Sequence, residues 1–411
     1  VPKRLITIGG AALIAIVLLI LAVVSGGDKE PPATAVAAPP STAAPVTTTL
    51  PPPTVPPLTF SGDGAEPEID ALVEALYRSV AEGTPLPPLP EALAAHIGGA
   101  AAPPPNVQAT TLAADLKYGQ RVAVVRAGDD SILMADETEG WKIVGADMPS
   151  LGLEPWYGPP IRTVLIVGSD ARWNDVAERS RSDSLHIVTA VPASGAGAIV
   201  GIPRDSWVVT PSGGRGKITD ILANHGPEGI FETVAAVSNE ALEGWILTGF
   251  LGFETISRAF GPFEIDLPIR VPAGNSLPGF PEGPQVVEPP EKLLLLARIR
   301  KTLPNGDFSR SFNHGVIMQG ALREVRRRGI EDLPELIQIL DDSSFTSFSA
   351  GELLNLGATA LLLDPDNVTN VVIPGSVGTT SGGASIVSIG GGADAVFADQ
   401  ADNGLLDGST G

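Results

Sequence analysis

The chain has 411 residues, with 26 Lys and Arg against 47 Asp and Glu, and a formal net charge of -21. That length suffices for two or three domains and a sizeable core, and the acidic balance argues against a bulk nucleic-acid binder. The absence of Cys excludes disulfides, zinc–thiolate sites, iron–sulfur clusters and cysteine nucleophiles.

The charge is unevenly spread. Residues 160–330 carry 18 basic and 18 acidic side chains, and no Lys or Arg lies beyond residue 330. Fifteen of those 18 cations are Arg, the side chain suited to bidentate phosphate or carboxylate contacts. Arg-rich codon usage in a GC-rich genome gives the same excess.

Residues 5–24 form an uncharged, mostly apolar run of the length that spans a bilayer. Lys3 and Arg4 precede it, and Asp28 and Glu30 follow. The positive-inside rule then predicts a single-pass anchor in the cell membrane, with everything C-terminal to it extracytoplasmic. A cleaved signal peptide is the competing reading. Its apolar core is usually shorter, and Ala22-Val23-Val24-Ser25 is a weak cleavage site. Residues 31–58 are mostly Pro, Thr, Ala and Val, a composition that builds an extended spacer and no core.

Residues 60–155 read as a separate small α+β unit. Ile69, Leu72, Val73, Leu76 and Val80 recur at helical spacing. Residues 121–125, 131–135 and 141–144 read as three short strands joined by polar turns. No catalytic constellation is visible there, which fits a spacer or protein-contact role.

From Arg162 the pattern changes. Residues 163–167 are a β-branched apolar run ending in Gly168-Ser169-Asp170-Ala171-Arg172. Arg181-Ser182-Asp183 opens a second strand over 185–191, and a third over 198–202 ends in Pro203-Arg204-Asp205. Three strand boundaries thus each offer an Arg and an Asp, at the strand ends where α/β proteins place ligand contacts. Clustered carboxylates need a cation between them, and the arginines supply donors for an anion. Together they suit a divalent metal with phosphate oxygens, Mg²⁺ (or Mn²⁺) before softer ions.

Further on, an apolar segment at 293–297 leads into Arg298-Ile299-Arg300, whose arginines share a face if extended. Asp307-Phe308-Ser309-Arg310 then precedes a helix expected over 311–328, with Arg323, Arg326, Arg327 and Arg328 as a solvated C-terminal end. Four histidines, His96, His186, His225 and His314, include no pair at metal-ligand spacing. His186 reads as a packed strand residue.

Taken in order, GSDAR at 168–172, RSDSL at 181–185, GIPRDSWV at 201–208, Lys217-Ile218, ARIR at 297–300 and DFSR at 307–310 resemble the LytR–CpsA–Psr family of cell-wall glycopolymer ligases. The resemblance spans about residues 160–405. It implies an α/β/α sandwich with a central mixed sheet, preceded by the transmembrane helix and the small α+β region. It also implies a deep apolar channel for a polyprenyl chain, with the pyrophosphate at its mouth. By the same resemblance, Asp170 and Asp183 sit at the Mg²⁺ site. Arg172, Arg181, Arg204, Arg298, Arg300 and Arg310 contact or neighbour the phosphates, and Asp205 orients arginines. The family's DFxRxxRQ continues here with Asn313 and His314, so His314 stands where a Gln would help bind phosphate. Thr219 replaces the Asn of KIN, and the Gly preceding the RxR pair is missing.

The expected organisation is a cytoplasmic tip and transmembrane helix (1–25), a Pro/Thr-rich linker (26–59), the small accessory region (60–155), the catalytic domain (156–405) and a tail (406–411). The expected activity is Mg-assisted transfer of a glycopolymer from polyprenyl pyrophosphate to peptidoglycan at the membrane, with no nucleic-acid partner. A catalytically weakened polyprenyl-phosphate-binding scaffold and a polyprenyl-pyrophosphate pyrophosphatase fit the same residues. Trp207, Trp245, Phe250, Phe253, Phe260 and residues 293–296 are candidates for the channel lining, against ordinary core packing.

Overall fold

A computed structural model describes residues 57–63, 66–172, 175–273, 278–288 and 291–408. The apolar run at 5–24 and most of the linker lie outside them. Among the described residues no helix is long and apolar enough to cross a membrane.

The N-terminal unit contains β1 (Thr59–Asp63), α1 (Pro67–Glu82), α2 (Glu91–Ile97), β2 (Asn106–Asp115), β3 (Arg121–Ala127), β4 (Asp130–Asp136) and β5 (Trp141–Asp147). Its sheet has the order β1-β2-β3-β4-β5, parallel at β1–β2 and antiparallel elsewhere. Three strands were expected and five are present. The first two escape the pattern because β1 is largely exposed and β2 buries only Val107 and Ala109.

Strand alternation sends the side chains of this sheet to two different cores. Ala123, Val125, Ile132, Met134 and Ile143 pack with Ile69, Val73, Leu76 and Leu93 of α1 and α2. Val122, Val124, Leu133 and Ala135 join the core of the following domain. The unit's sheet is covered on both faces, one of them by the main domain.

The main domain begins with β6 (Arg162–Ser169), β7 (Ser182–Val191) and β8 (Ala196–Gly201), continues through the hairpin β9 (Trp207–Val209) and β10 (Arg215–Lys217) to α3 (Thr219–Ser238), and then β11 (Gly244–Thr248) and α4 (Phe250–Phe260). A second hairpin, β12 (Phe263–Leu267) and β13 (Gly283–Val287), leads to α5 (Glu291–Arg298), α6 (Asp307–Arg328), α7 (Leu333–Ser343), β14 (Phe345–Thr346) and α8 (Ala350–Leu361). The chain closes with β15 (Val368–Val372), the hairpin β16 (Ser376–Thr379) and β17 (Ser385–Ser388), and α9 (Gly391–Asn403).

The central six-stranded sheet has the order β14-β11-β6-β7-β8-β15 and is mixed: β11–β6 and β8–β15 are parallel, the other pairs antiparallel. On β6, Val164 and Ile166 face a core shared with α4, α5, α6, α7 and α8. Leu165 and Val167 face the opposite core, where Ile221, Leu222, Ile230 and Val234 of α3 meet Ala393 and Phe397 of α9. Helices thus cover both faces of a sheet buried on both sides, which is the expected α/β/α layering. α6 starts at Asp307, four residues earlier than expected, so DFSR forms its first turn.

Of the arginines at the end of α6, Arg326 and Arg327 are exposed as expected, while Arg323 and Arg328 are largely covered. Glu324 pairs with Arg327 and Arg328, and Arg323 and Arg326 pair with Asp366 and Asp364.

Candidate functional site

A cavity of roughly 270 Å³ opens beside the ends of β6, β7 and β11. Five arginines line it, Arg172, Arg204, Arg298, Arg300 and Arg310, with two carboxylates, Asp170 and Asp183. Local positive charge therefore concentrates here in a chain whose net charge is -21. Ile166, Phe253, Leu294, Ala297, Ile317 and Met318 supply apolar walls.

The strand ends place the acidic groups. The backbone N–H of Asp170 donates to the Arg181 carbonyl (2.9 Å), and the Arg181 N–H donates back to Asp170 Oδ1 (2.9 Å). At Gly168 the two strands run so close that a Cβ would lie 2.9 Å from that of Ser184. Just beyond, the β6–β7 register jumps: Gly168 pairs with Ser184 and Ser169 with Ser182. Asp183 is the extra residue of this β-bulge, a device that re-aims side chains. It puts both Asp183 and Ser184 on the cavity wall. Ser182 and Arg181 are left on the side of α3. The Arg181 side chain is 64% exposed, reaches Asp220 at 3.0 Å and does not line the cavity. Its contribution to the site is its backbone.

Asp183 organises two of the arginines. Arg204 donates to its Oδ1, while Arg310 lies 3.4 Å from Oδ2 and donates to its backbone carbonyl at 3.1 Å. Asp307, in the first turn of α6, supports both guanidiniums from behind, at 3.6 Å from Arg204 Nε and 2.6 Å from Arg310 Nη2. The sequence had marked the DFSR motif without giving Asp307 a role; its place three residues before Arg310 on a helix was the available signal. Burial lowers the Arg310 pKa, and Asp307 and Asp183 oppose that shift. Asp205 lies outside the cavity lining and accepts from Lys217 Nζ at 2.7 Å, so it orients a lysine and no arginine.

Arg172, Arg298 and Arg300 differ from that pair. Among the described residues none of them makes an ion pair, and Arg298 lies over the Phe250 ring at 4.9 Å. Three guanidiniums with no carboxylate partner among the described residues, beside apolar walls, are suited to an anion. Of the expected channel residues, Phe250, Phe253 and Leu294 line the cavity. Phe260, Leu293 and Leu296 are fully buried core, and Trp245 belongs to the core on the α3 side.

Among the described residues no group of three or more His, Asp or Glu is placed to hold an ion, and Asp183 already serves two arginines. The donor set does fit Mg²⁺ or Mn²⁺ held by one or two carboxylates, with phosphate oxygens and water filling the other positions.

Two histidines lie beside the arginines. The buried His186 donates from Nε2 to the Ser311 carbonyl (3.1 Å), and its Nδ1 accepts from Ser184 Oγ (3.2 Å). His314, on the cavity wall, donates from Nε2 to the Ala297 carbonyl at 2.6 Å, just before the Arg298–Arg300 segment. The ring centroids are 5.8 Å apart. Burial pushes His186 down to about 4. Burial, with Arg310 and His186 adding repulsion, holds His314 well below the usual imidazole value. Both rings are therefore neutral at pH 7, and His314 brings no charge to a phosphate.

These shifts predict a pH dependence of stability. A depressed histidine pKa means the unfolded chain binds more protons below pH 6.5, so stability falls as pH drops toward 4. For His186 the loss approaches about 3 kcal/mol. Glu240 has the opposite sign. Burial pushes it up to about 7, so its contribution is present at low pH and is lost as pH rises from 4.5 to 7. In urea titrations the wild-type midpoint should fall on acidification, because two depressed histidines outweigh the one raised carboxyl, and Glu240→Gln should fall more steeply. A flat Glu240→Gln profile would contradict the neutral buried histidines.

Comparison with known proteins agrees with the motif order. The model of the LytR_cpsA_psr family matches residues 160–398. The chain belongs to this family. Similar curated proteins carry the name polyisoprenyl-teichoic acid–peptidoglycan teichoic acid transferase TagU. The Bacillus anthracis protein is 28% identical over 163 residues, which is 39% of this chain and 52% of that protein. The Enterococcus faecalis protein is 22% identical over 198 residues, 46% of this chain and 63% of that protein. This LytR_cpsA_psr chain thus matches about half the length of the first of these relatives. The crystal structure of B. subtilis TagV aligns at a TM-score of 0.49 and 21% identity, over 57% of this chain and 92% of that one.

Proposed function

We propose that the chain is a membrane-anchored, extracytoplasmic phosphotransferase that moves a glycopolymer from polyprenyl pyrophosphate to peptidoglycan. The observation that carries this is the pairing of five cavity arginines with an apolar floor. It suits a ligand with a multiply charged head and a hydrocarbon tail. Family membership and the names of the TagU relatives support the same donor and acceptor classes.

In this reading the acceptor sugar hydroxyl attacks the glycan-proximal phosphorus. A phosphodiester forms, the hydroxyl proton passes to water, and polyprenyl phosphate leaves with the electron pair of the broken P–O bond. Arg172, Arg298 and Arg300 contact the phosphates with charge that no carboxylate among the described residues neutralises. Arg204 and Arg310, held by Asp183 and Asp307, are pre-aimed, so they need no reorganisation as charge grows on the leaving group. Mg²⁺, held by Asp170 and Asp183 when bound, would add charge stabilisation to the phosphate oxygens. His314 holds the Ala297 carbonyl and so fixes the Arg298–Arg300 segment. At roughly 270 Å³ the whole cavity is small for a ligand site, so in this reading it takes the pyrophosphate and only the head end of a prenyl chain. The apolar run at 5–24, read as an anchor, and the Pro-rich spacer would hold the domain near the lipid donor.

Binding of geranylgeranyl pyrophosphate, followed by ³¹P NMR, tests the ligand assignment. Saturable binding that Arg298→Ala and Arg300→Ala weaken is expected, whereas equal affinity in wild type and both variants would refute the site. One observation favours a weakened, lipid-binding scaffold as the second reading. The position of the family's Gln holds a neutral imidazole whose N–H is spent on Ala297. Binding without release of polyprenyl phosphate would establish that alternative.

A further inference from the structure

A second pocket, of roughly 320 Å³, lies on the other side of α6. Helix geometry makes the division. At about 100° per residue, Arg310, His314, Ile317 and Met318 face the arginine cavity, Phe308, Ser309 and Phe312 face away from it, and Asn313 lies on the flank between. The helix diameter of about 10 Å then sets the separation of the two sites.

The chemistry of the second pocket is different. No charged side chain lines it. The half-buried rings of Phe308 and Phe312 form walls with Ile269 and Val372, and Ile269 is 39% exposed. Asn313 is 2% exposed, and its amide nitrogen has no hydrogen-bond partner. An unpaired buried donor costs about 1–3 kcal/mol, and a ligand acceptor met by a turn of the Asn313 side chain would recover that cost. Apolar and aromatic walls with a few polar groups are the make-up of a small-molecule site.

The absence of lining charge disfavours a phosphate or carboxylate ligand. Half-buried phenyl rings lining a pocket suit the C–H face of a pyranose. A carboxamide donor suits the carbonyl of an acetamido group, whose methyl suits Ile269 and Val372. We infer that this pocket seats a neutral N-acetylated sugar ring of the acceptor glycan, within a short oligosaccharide's span of the arginine cavity. The inference rests on the transferase reading and gives its acceptor a place.

The test uses the full chain and chitotetraose, a neutral N-acetylglucosamine tetramer, with calorimetric titration and saturation-transfer NMR. Saturable binding is expected, with the acetamido methyls the most strongly saturated protons. Phe308→Ala and Ile269→Asp should each weaken it at least tenfold, and the charged, deacetylated tetramer should not bind. Ile269→Asp alters an exposed position and guards against misfolding as the explanation. Geranylgeranyl pyrophosphate binding should be unchanged in both variants. Wild-type binding of the pyrophosphate without the sugar overturns the pocket assignment alone. Sugar binding that both variants lose, without pyrophosphate binding, leaves the pocket standing and sinks the transferase reading. Sugar binding that neither variant weakens places the sugar elsewhere and overturns the assignment.

Discussion

Arg298→Ala should slow glycan transfer by about 10²- to 10³-fold, the loss of about 2.7–4 kcal/mol of transition-state stabilisation found for a preorganised donor. Among the described residues Arg298 makes no ion pair, so its removal strands no buried carboxylate. Its packing over Phe250 is worth about 0.5–1 kcal/mol, which bounds the accompanying stability loss. Urea denaturation measured beside the steady-state rate separates the two effects. Arg298→Lys keeps the charge but loses the planar two-pronged donor, so it should recover only part of the rate. An Arg298→Ala protein of unchanged activity would remove the arginine from the site.

Asp183→Ala should destabilise the fold by about 1–3 kcal/mol, because Arg204 and Arg310 each lose a carboxylate acceptor and keep only Asp307. The Arg310 side chain is 6% exposed and that of Arg204 is 19% exposed, and both rely on Asp183. Asp183→Asn keeps a hydrogen-bond acceptor and should cost less. The consequence for mechanism is specific. Loss of turnover in Asp183→Ala would not by itself demonstrate a metal role, since the arginine pair loses its support in the same variant. A variant with wild-type stability and no activity would assign Asp183 to phosphate or metal alone, and would contradict its structural part here.

The strand ends were legible because their residues obey local rules. Buried strands such as β6 and β8 read as continuous apolar runs, and the polar residues that end them stand out. The α/β/α layering followed from the family resemblance carried by those same motifs. Arg181 was not legible, because the bulge at Asp183 breaks the alternation that would have kept both residues on one face. The accessory sheet was half legible. Its apolar strands were visible, but a face covered by its own α1 and α2 and a face covered by another domain look identical in sequence. The size of the cavity was not legible at all, since it depends on how α4, α5 and α6 close around it. Phe250 and Phe260 illustrate this: both are aromatic residues of one helix, yet one lines the cavity and the other fills the core.

The most direct test of the central claim supplies the full chain with a polyprenyl-pyrophosphate-linked glycan, Mg²⁺ and a peptidoglycan oligomer, and follows both products. The account predicts polyprenyl phosphate release matched mole for mole by glycan joined to peptidoglycan, with both lost in Arg298→Ala. Release matched only by free glycan phosphate would show water as the acceptor and contradict it.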